Sequence, residues 1–201
     1  MKTLKVKVTF TEDVLGTASN NKEIHQEFIA SKAPDAPSME EEVAAVGAAE
    51  VFDKSMTVFA RNAEGKPIVW DYMWKGLLKD SCGMLRRVDN IACSKVKAFK
   101  KEIDGLIFVS PRQIPIVFND EMSICERPLR AQTAQGERVA LASSECIHAG
   151  ATMEFEIMMM VDNDVKFVKE CLDYGKLRGF GQWRNSGMGR FTYEILEERD
   201  G

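Results

Sequence analysis

The chain has 201 residues, a formal net charge of −4 and 45% hydrophobic residues. This composition is typical of an ordinary globular domain, and it excludes a histone-like polycation and an acidic disordered tail. The five cysteines form no C-x-x-C pair and the two histidines are far apart in sequence. We therefore expect a cytoplasmic protein whose cysteines are reduced and which binds no metal and no cofactor. The N-terminus alternates apolar and polar residues and no long apolar run follows, which predicts neither a signal peptide nor a membrane span.

The first element is predicted to be a strand, because Leu4–Phe10 alternates apolar and polar residues. Residues 22–54 differ, since Ala and Glu dominate there and Pro34 and Pro37 divide two short helical stretches. From Ala33 to Asp53 there are six acidic residues and no basic one, which favours a solvated face. We expect residues 22–54 to form a peripheral, mobile helical insertion whose amides exchange quickly with solvent.

The middle of the chain is predicted to be a hairpin followed by a helix. Met56–Trp70 alternates on both sides of a turn at Asn62–Gly65, which is typical of a hairpin. Residues 71–88 carry an apolar stripe at helical spacing, which predicts a helix. Between Lys75 and Lys101 there are eight basic residues and two acidic ones, the strongest charge asymmetry in the chain.

The second half is predicted to be rich in strands. The expected strands are Leu106–Val109, Ile114–Phe118, Met122–Leu129, Glu137–Ile147, Thr152–Val161 and Phe191–Ile195, with a helix at 164–178. The segment Arg127–Arg138 is rich in Arg, Gln and Thr and is expected to form an exposed ribbon. The predicted buried residues are Val6, Val8, Leu77, Leu78, Phe155, Ile157, Val168 and Leu172.

A glycine-rich loop, residues 179–190, lies between the last helix and the last strand. It contains the glycines Gly179, Gly181, Gly187 and Gly189 together with Trp183, Arg184 and Arg190. Glycine permits positive φ and the close approach of another backbone, while the arginines could hold phosphates and the tryptophan could stack on a base. The loop follows a helix and lacks Gly-Lys-Ser/Thr, so it is neither a dinucleotide fingerprint nor a P-loop. The alternative is a glycine-rich connection that only packs.

Three segments in this order resemble the RAMP superfamily, in particular its RNA-coating backbone subunits of CRISPR effector complexes. The loop ending Gly187-Met188-Gly189-Arg190-Phe191 resembles the terminal glycine-rich loop of that superfamily. Residues 66–79, from Lys66-Pro67 to Trp74-Lys75-Gly76, are similar to its "proline, extended residues, then S-x-K-G-x-x-R" helix start. Residues 145–157, from Glu145 to Ile157, are similar to its "E-x-V-x-x-G-T-x-F-x-F-x-I" strand. The chain also resembles uncharacterised bacteriophage and prophage proteins.

The resemblance implies a single RAMP-like domain over 1–201, with an α+β, ferredoxin-like (RNA-recognition-type) antiparallel sheet, helices on one face and the helical insertion at 22–54. It further implies a phage protein in the cytoplasm of a bacterial host that binds single-stranded RNA or DNA. The basic and aromatic residues expected to bind the strand are Lys75, Lys79, Arg127, Arg130, Arg138, Trp183, Arg184 and Arg190. For each cation, an ion pair with an acidic residue is the alternative.

Three functions stay open. The first is a single-stranded nucleic-acid-binding protein, with RNA favoured over DNA and homo-oligomers along the strand left open. The second is an anti-defence protein that mimics a CRISPR backbone subunit and binds a host defence complex. The third is a metal-independent endoribonuclease, for which His148 and Asp35 are the candidate catalytic residues. A hydrogen-bonded structural role explains His148 equally well, and a turn or helix-entry role is favoured for Asp35. We therefore expect a binder without catalytic residues.

Overall fold

The structure is a computed structural model that describes residues 1–20, 56–133, 136–161 and 164–200, without the side chains of 129–133 and 136–140. Its strands are β1 (Lys2–Phe10), β2 (Val14–Leu15), β3 (Ala18–Ser19), β4 (Thr57–Val58), β5 (Ala60–Arg61), β6 (Pro67–Trp70), β7 (Ile107–Ser110), β8 (Gln113–Pro115), β9 (Ser123–Thr133), β10 (Gly136–Ile147), β11 (Thr152–Met159) and β12 (Phe191–Asp200). Its α-helices are α1 (Asp71–Leu85), α2 (Ala92–Lys95), α3 (Phe99–Leu106) and α4 (Asp164–Arg178). The fold is therefore mixed α+β, and all described strand pairs are antiparallel except β4 with β10.

The main sheet has four strands in the order β12-β1-β11-β7. In chain order these strands are the fourth, first, third and second; α1 to α3 lie between the first two and α4 between the last two. Strand β1 is central, with Val6 opposite Phe155 of β11 on one side and opposite Ile195 of β12 on the other. The alternating residues Leu4, Val6, Val8 and Phe10 are all buried, as their period of two predicts.

Helices α1 and α4 contribute to the same hydrophobic cluster as this sheet. Gly175 of α4 lets the two helices approach closely, because a Cβ there would lie 2.8 Å from Leu77 Cδ2 of α1. The strands predicted at Leu4–Phe10 and Phe191–Ile195 and the helix at 164–178 are confirmed, and the strand predicted at Thr152–Val161 ends at Met159. All eight residues predicted to be buried are buried. The helix predicted at 71–88 ends at Leu85.

The ribbon predicted in the second half is a long antiparallel hairpin. Strands β9 and β10 pair from Gly136 opposite Thr133 to Cys146 opposite Ser123. At the base of this ribbon, β10 also pairs with the short strands β2 and β4. The ribbon is therefore an extension of a second sheet. The short strand β2, which follows β1 in the chain, connects this sheet to the end of β1.

The hairpin predicted over Met56–Trp70 is only partly correct. Strands β5 and β6 do pair on both sides of the Asn62–Gly65 turn, and β8 completes their sheet. Thr57–Val58, however, belongs to the sheet of the ribbon. The chain changes sheets at Phe59, whose ring is buried and whose backbone N–H donates to the Glu145 carboxylate at 2.8 Å.

The predicted insertion at residues 22–54 lies outside the described residues, so its character and the single-domain organisation stay predictions. Among the helices that the structure describes, none is long and apolar enough to cross a membrane.

Candidate nucleic-acid interface

The glycine loop folds tightly back on itself between α4 and β12. The Phe180 N–H donates to the Gly189 carbonyl at 2.8 Å, and the Gly189 N–H donates to the Asp13 carbonyl at 2.7 Å. All four predicted glycines have positive φ. A Cβ at Gly179 would overlap the Met188 carbonyl oxygen, and one at Gly189 would overlap the Phe180 carbonyl oxygen. These two glycines are therefore required by backbone packing within the loop itself.

Gln182 joins the loop to the base of the ribbon. Its Nε2 lies within hydrogen-bonding distance of the Gly16 carbonyl, of Thr57 Oγ1 at 2.7 Å and of Ser144 Oγ at 3.1 Å. Its Oε1 accepts a hydrogen bond from Arg127 Nη2 at 2.9 Å. One amide side chain thus contacts the segment after β1, strand β4 and both strands of the ribbon.

Arg127 is buried beneath the loop, with 5% of its surface exposed. Its Nη1 donates to Ser144 Oγ at 3.2 Å, and its guanidinium lies 5.1 Å from the ring centroid of Trp183. Trp183 is only partly exposed and has a left-handed backbone, with φ at 54°. In this conformation Arg127 supports the loop from inside, and contact of either residue with a nucleic acid stays a prediction.

Asp80 of α1 holds the other side of the loop. Its carboxylate lies 2.8 Å from Arg184 Nη1 and 3.6 Å from Arg178 Nε. The ion-pair alternative therefore applies to Arg184 in this conformation. Arg190 differs, because its side chain is exposed and its Nε donates to the backbone carbonyl of Leu177 at 3.1 Å.

The two predicted lysines of α1 face helix α3. Lys79 Nζ lies 2.5 Å from an Asp104 carboxylate oxygen, and Lys75 Nζ donates to the Asp104 backbone carbonyl at 3.0 Å. The hydrogen bond from Lys79 lowers the pKa of Asp104. Asp104 is therefore the counterion of Lys79. Lys75 and Lys79 lie on the α3 side of α1, whereas Arg184 lies on its loop side.

The remaining predicted cations lie in the ribbon. Arg130 pairs with Val139 and Arg138 with Ala131 in the backbone ladder, but their side chains are outside the described part. They stay predicted binding residues on the basis of their position alone.

The structure also shows cations and rings that the sequence did not single out. Exposed basic residues follow α1, and within the described residues none of them has a carboxylate partner: Arg87, Lys95, Lys97, Lys100 and Lys101. They belong to the basic stretch between Lys75 and Lys101, and this charge asymmetry is the sequence signal that indicates them. Tyr72, which is 58% exposed, stacks on Trp70 at 6.5 Å between ring centroids, and the Arg112 guanidinium lies 5.7 Å from the Trp70 centroid.

Comparisons with known proteins bear on the fold. No family model matches the sequence, and no curated protein sequence is significantly similar to it. The structure is similar to a chain in the cryo-EM structure of the Type III-B Cmr-beta bound to cognate target RNA, with a TM-score of 0.55 and 11% identity. The match covers 98% of this chain and 60% of that chain, so this protein spans less than two thirds of the length of its neighbour. The likeness shows a shared fold.

Proposed function

We propose that this protein binds single-stranded RNA on a surface centred on the glycine loop. The observation that carries the proposal is that the loop contacts both other segments predicted to bind RNA. Arg184 reaches α1 through Asp80, and Gln182 reaches the base of the ribbon through Arg127. Three distant parts of the sequence thus meet at the glycine loop. The structural neighbour belongs to an assembly bound to RNA, which supports the choice of ligand.

The finer fold assignment forms part of the same proposal. A sheet in the order fourth-first-third-second, with helical segments after the first and third strands, is the arrangement expected of a ferredoxin-like unit. Related sheets bind single strands by combining stacking aromatic residues with cations. We therefore propose a RAMP-like unit of this type, extended by the ribbon and the two small sheets.

The cations are proposed to differ in their contribution according to their partners. Arg190 is exposed, donates to a backbone carbonyl and has no carboxylate partner among the described residues, so its charge is available to a phosphate. Arg184 already neutralises Asp80, and Lys79 already neutralises Asp104, so each adds less to the local positive potential. Arg127 holds the loop in place, and the ribbon arginines supply further phosphate contacts.

Stacking is proposed at two places. Trp183 lies in the loop with Arg127 over its ring, and a base is proposed to stack on the opposite face of the ring. The exposed Tyr72 and the half-buried Trp70 form an aromatic pair next to Arg112 at the start of α1. Stacking of a base on one aromatic side chain contributes about 1–3 kcal/mol, so Trp183→Ala and Tyr72→Ala should each weaken binding by this amount.

The test is a fluorescence-anisotropy titration with an RNA and a single-stranded DNA of about 30 nucleotides, which exceeds binding sites of ~4–16 nucleotides. Saturable binding at low salt, tighter for RNA, is expected. The logarithm of the affinity should fall linearly with the logarithm of the salt concentration, with a slope of about −0.7 for each phosphate neutralised. Absence of saturable binding to both strands would refute the proposal.

Asp80 provides a sharper test of the location. Asp80→Asn removes the counterion of Arg184 and Arg178, so it should tighten RNA binding, whereas Arg190→Ala should weaken it and reduce the salt slope by about 0.7. Arg199→Ala is the matched control, because Arg199 is paired with Glu156 on the main sheet. Equal effects of R190A and R199A would place the RNA elsewhere.

A second candidate follows from the assembly to which the neighbour belongs. A phage protein with the fold of a subunit from a defence complex could bind such a complex as a decoy. Under this alternative the chain forms a stable complex with purified type III-B subunits and binds free RNA no more tightly than a protein of similar charge does. The titration above therefore decides between the two, and co-purification with the subunits tests the second directly.

Catalysis is not part of the proposal. His148 contacts Asp13 through Nδ1 at 3.2 Å, and the other candidate, Asp35, lies outside the described residues. Labelled RNA incubated with the protein should keep its full length, with or without His148→Ala. Cleavage that His148→Ala abolishes would establish the endoribonuclease alternative instead.

A further inference from the structure

A cluster of three different metal-ligating side chains lies where β1 ends and β10 ends. Asp13 Oδ2 is 3.2 Å from His148 Nδ1 and 3.5 Å from Cys146 Sγ. One ligand atom from each residue lies within 4.8 Å of the other two. Cys146 is buried, whereas Asp13 and His148 are 35% and 42% exposed at their side chains. The cluster is therefore anchored inside the protein and open to solvent on one side.

The donor set and the separations suit zinc. Zinc binds thiolate, imidazole and carboxylate with bonds of about 2.0–2.3 Å in tetrahedral geometry, which separates neighbouring ligand atoms by about 3.3–3.5 Å. The two separations from Asp13 Oδ2, 3.2 and 3.5 Å, are within about 0.1 Å of this range. We propose that Asp13, Cys146 and His148 bind one Zn²⁺ ion, with water at the fourth position. On binding, the Cys146 thiol loses its proton to solvent, and the resulting thiolate sulfur forms a bond to zinc.

The backbone around the cluster holds the ligands in place. Asp13 uses its other oxygen, Oδ1, to accept the Ala149 N–H at 3.1 Å. The Gly150 N–H donates to the Phe10 carbonyl at 2.8 Å, which joins the two ligand-bearing segments directly. An outer contact of this kind orients a carboxylate ligand and raises metal affinity.

The proposed ion also has a consequence for the glycine loop. The backbone carbonyl of Asp13 accepts the Gly189 N–H, so the residue that binds zinc through its side chain also fixes the end of the loop. Zinc bound between β1 and β10 would tie the loop more firmly to the main sheet. This inference does not depend on RNA binding, since it uses none of the residues assigned to that function.

The experiment is equilibrium dialysis of the full chain against Zn²⁺, followed by Co²⁺ substitution. The expected result is one zinc per chain and, with Co²⁺, the near-ultraviolet charge-transfer band of a cobalt–thiolate bond. His148→Ala and Asp13→Asn should each weaken Zn²⁺ binding about a hundredfold. Both variants are expected to fold, because His148 is half-exposed and an asparagine oxygen at position 13 can still accept the Ala149 N–H.

The matched control is Cys125→Ser, which removes the neighbouring thiol on β9 and should leave both the stoichiometry and the cobalt band unchanged. Cys146→Ser should abolish the band. Absence of bound zinc in the wild-type chain would overturn the proposal. Unchanged affinity in both H148A and D13N, or loss of the band in C125S, would overturn the assigned ligands.

Discussion

The main sheet and the glycine-loop junction are held together by different kinds of contact. In the sheet, buried apolar residues alternate along β1 and β11 and pack against two helices, so the stabilisation is spread over many similar side chains. In the junction, Gln182 and a buried Arg127 make the contacts, and two glycines lie directly against backbone carbonyls. We therefore expect the sheet to tolerate changes of side-chain shape within its apolar pattern, whereas the junction depends on particular atoms.

Trp74 connects the two regions. Its ring centroid lies 4.4 Å from that of Phe155 in the sheet and 4.5 Å from that of Phe180 in the loop. It also makes an edge-on contact with Phe191 at 5.6 Å. The loop therefore packs on the core through an aromatic cluster, which Phe10 also joins at 6.2 Å from the Phe180 ring centroid.

The largest effect is expected at this aromatic cluster. Trp74→Ala leaves a cavity beside Phe155 and Phe180 and should lower the free energy of unfolding by about 3–5 kcal/mol. Trp74→Phe should cost clearly less, because it keeps a ring and removes an indole N–H that has no hydrogen-bond partner among the described residues. Urea denaturation followed by circular dichroism measures both variants. A loss below 1 kcal/mol for W74A would show that the core and loop are not coupled through this residue.

The same difference explains what could be predicted from the sequence. The strand Leu4–Phe10 was predicted because a period of two directly reports which side chains are buried. The partners of Gln182 could not be predicted, since Gly16, Thr57 and Ser144 lie 166, 125 and 38 residues away in sequence. No local pattern marks a glutamine whose hydrogen bonds all depend on the tertiary fold.

The next largest effect is expected at the glycines of the loop. Gly189→Ala should cost about 2–3 kcal/mol, because its Cβ would overlap the Phe180 carbonyl and the residue has a φ of 69°. Gly187→Ala is the matched control, since it has a φ of 89° but its Cβ would come no closer than 3.7 Å to the Arg190 guanidinium. It should cost only the positive-φ penalty of about 1–2 kcal/mol. Equal losses in thermal denaturation would mean that φ alone, and not backbone contact, requires glycine here.

The candidate site was only partly predictable, for the same reason. Composition alone marks the glycine loop, but Asp80, the counterion of its Arg184, lies in a helix whose basic residues give the stronger sequence signal. Cys146 and His148 are two residues apart in the sequence, yet the third member of their cluster, Asp13, is 133 residues from Cys146. A sequence search for closely spaced ligands therefore predicted no metal.

A smaller effect is expected from Gln182→Ala. The substitution leaves the Arg127 guanidinium and the Thr57 and Ser144 hydroxyls with fewer partners, which should cost about 1–3 kcal/mol. Gln182→Glu keeps the shape and gives Arg127 an ionic partner, but it places an acceptor against the Gly16 carbonyl. We expect Q182E to remain destabilised, and a fully stable Q182E would show that the Arg127 contact alone holds the loop. Urea denaturation measures both variants.

The smallest effect is expected at Glu170 of α4. Its carboxylate accepts hydrogen bonds from the backbone N–H groups of Ala92 and Cys93 at the start of α2, both at 2.9 Å. Burial alone would raise the pKa of Glu170, but these two hydrogen bonds, together with the Cys93 thiol and the charge of Lys166, outweigh it and lower the pKa. Because the pKa is lower in the folded state than in the unfolded state, the stabilisation is complete above the ordinary glutamate pKa and is lost as the pH falls through the folded value. Glu170→Gln, which keeps one acceptor, should lower the free energy of unfolding by about 1 kcal/mol at neutral pH and by progressively less in acid.

Glu64→Gln provides the control for this pH dependence. Glu64 is exposed in the hairpin turn, and its pKa is lowered mainly by a hydrogen bond from Lys66. Solvent screens this ion pair, so E64Q should not measurably change the unfolding transition at any pH. Denaturation curves recorded from neutral to acidic pH compare both variants with the wild type. A loss of unfolding free energy in E170Q that stays constant with pH would show that the glutamate acts through packing and not through its charge. Glu170 would then stabilise the protein in the same way as the apolar side chains of the main sheet do.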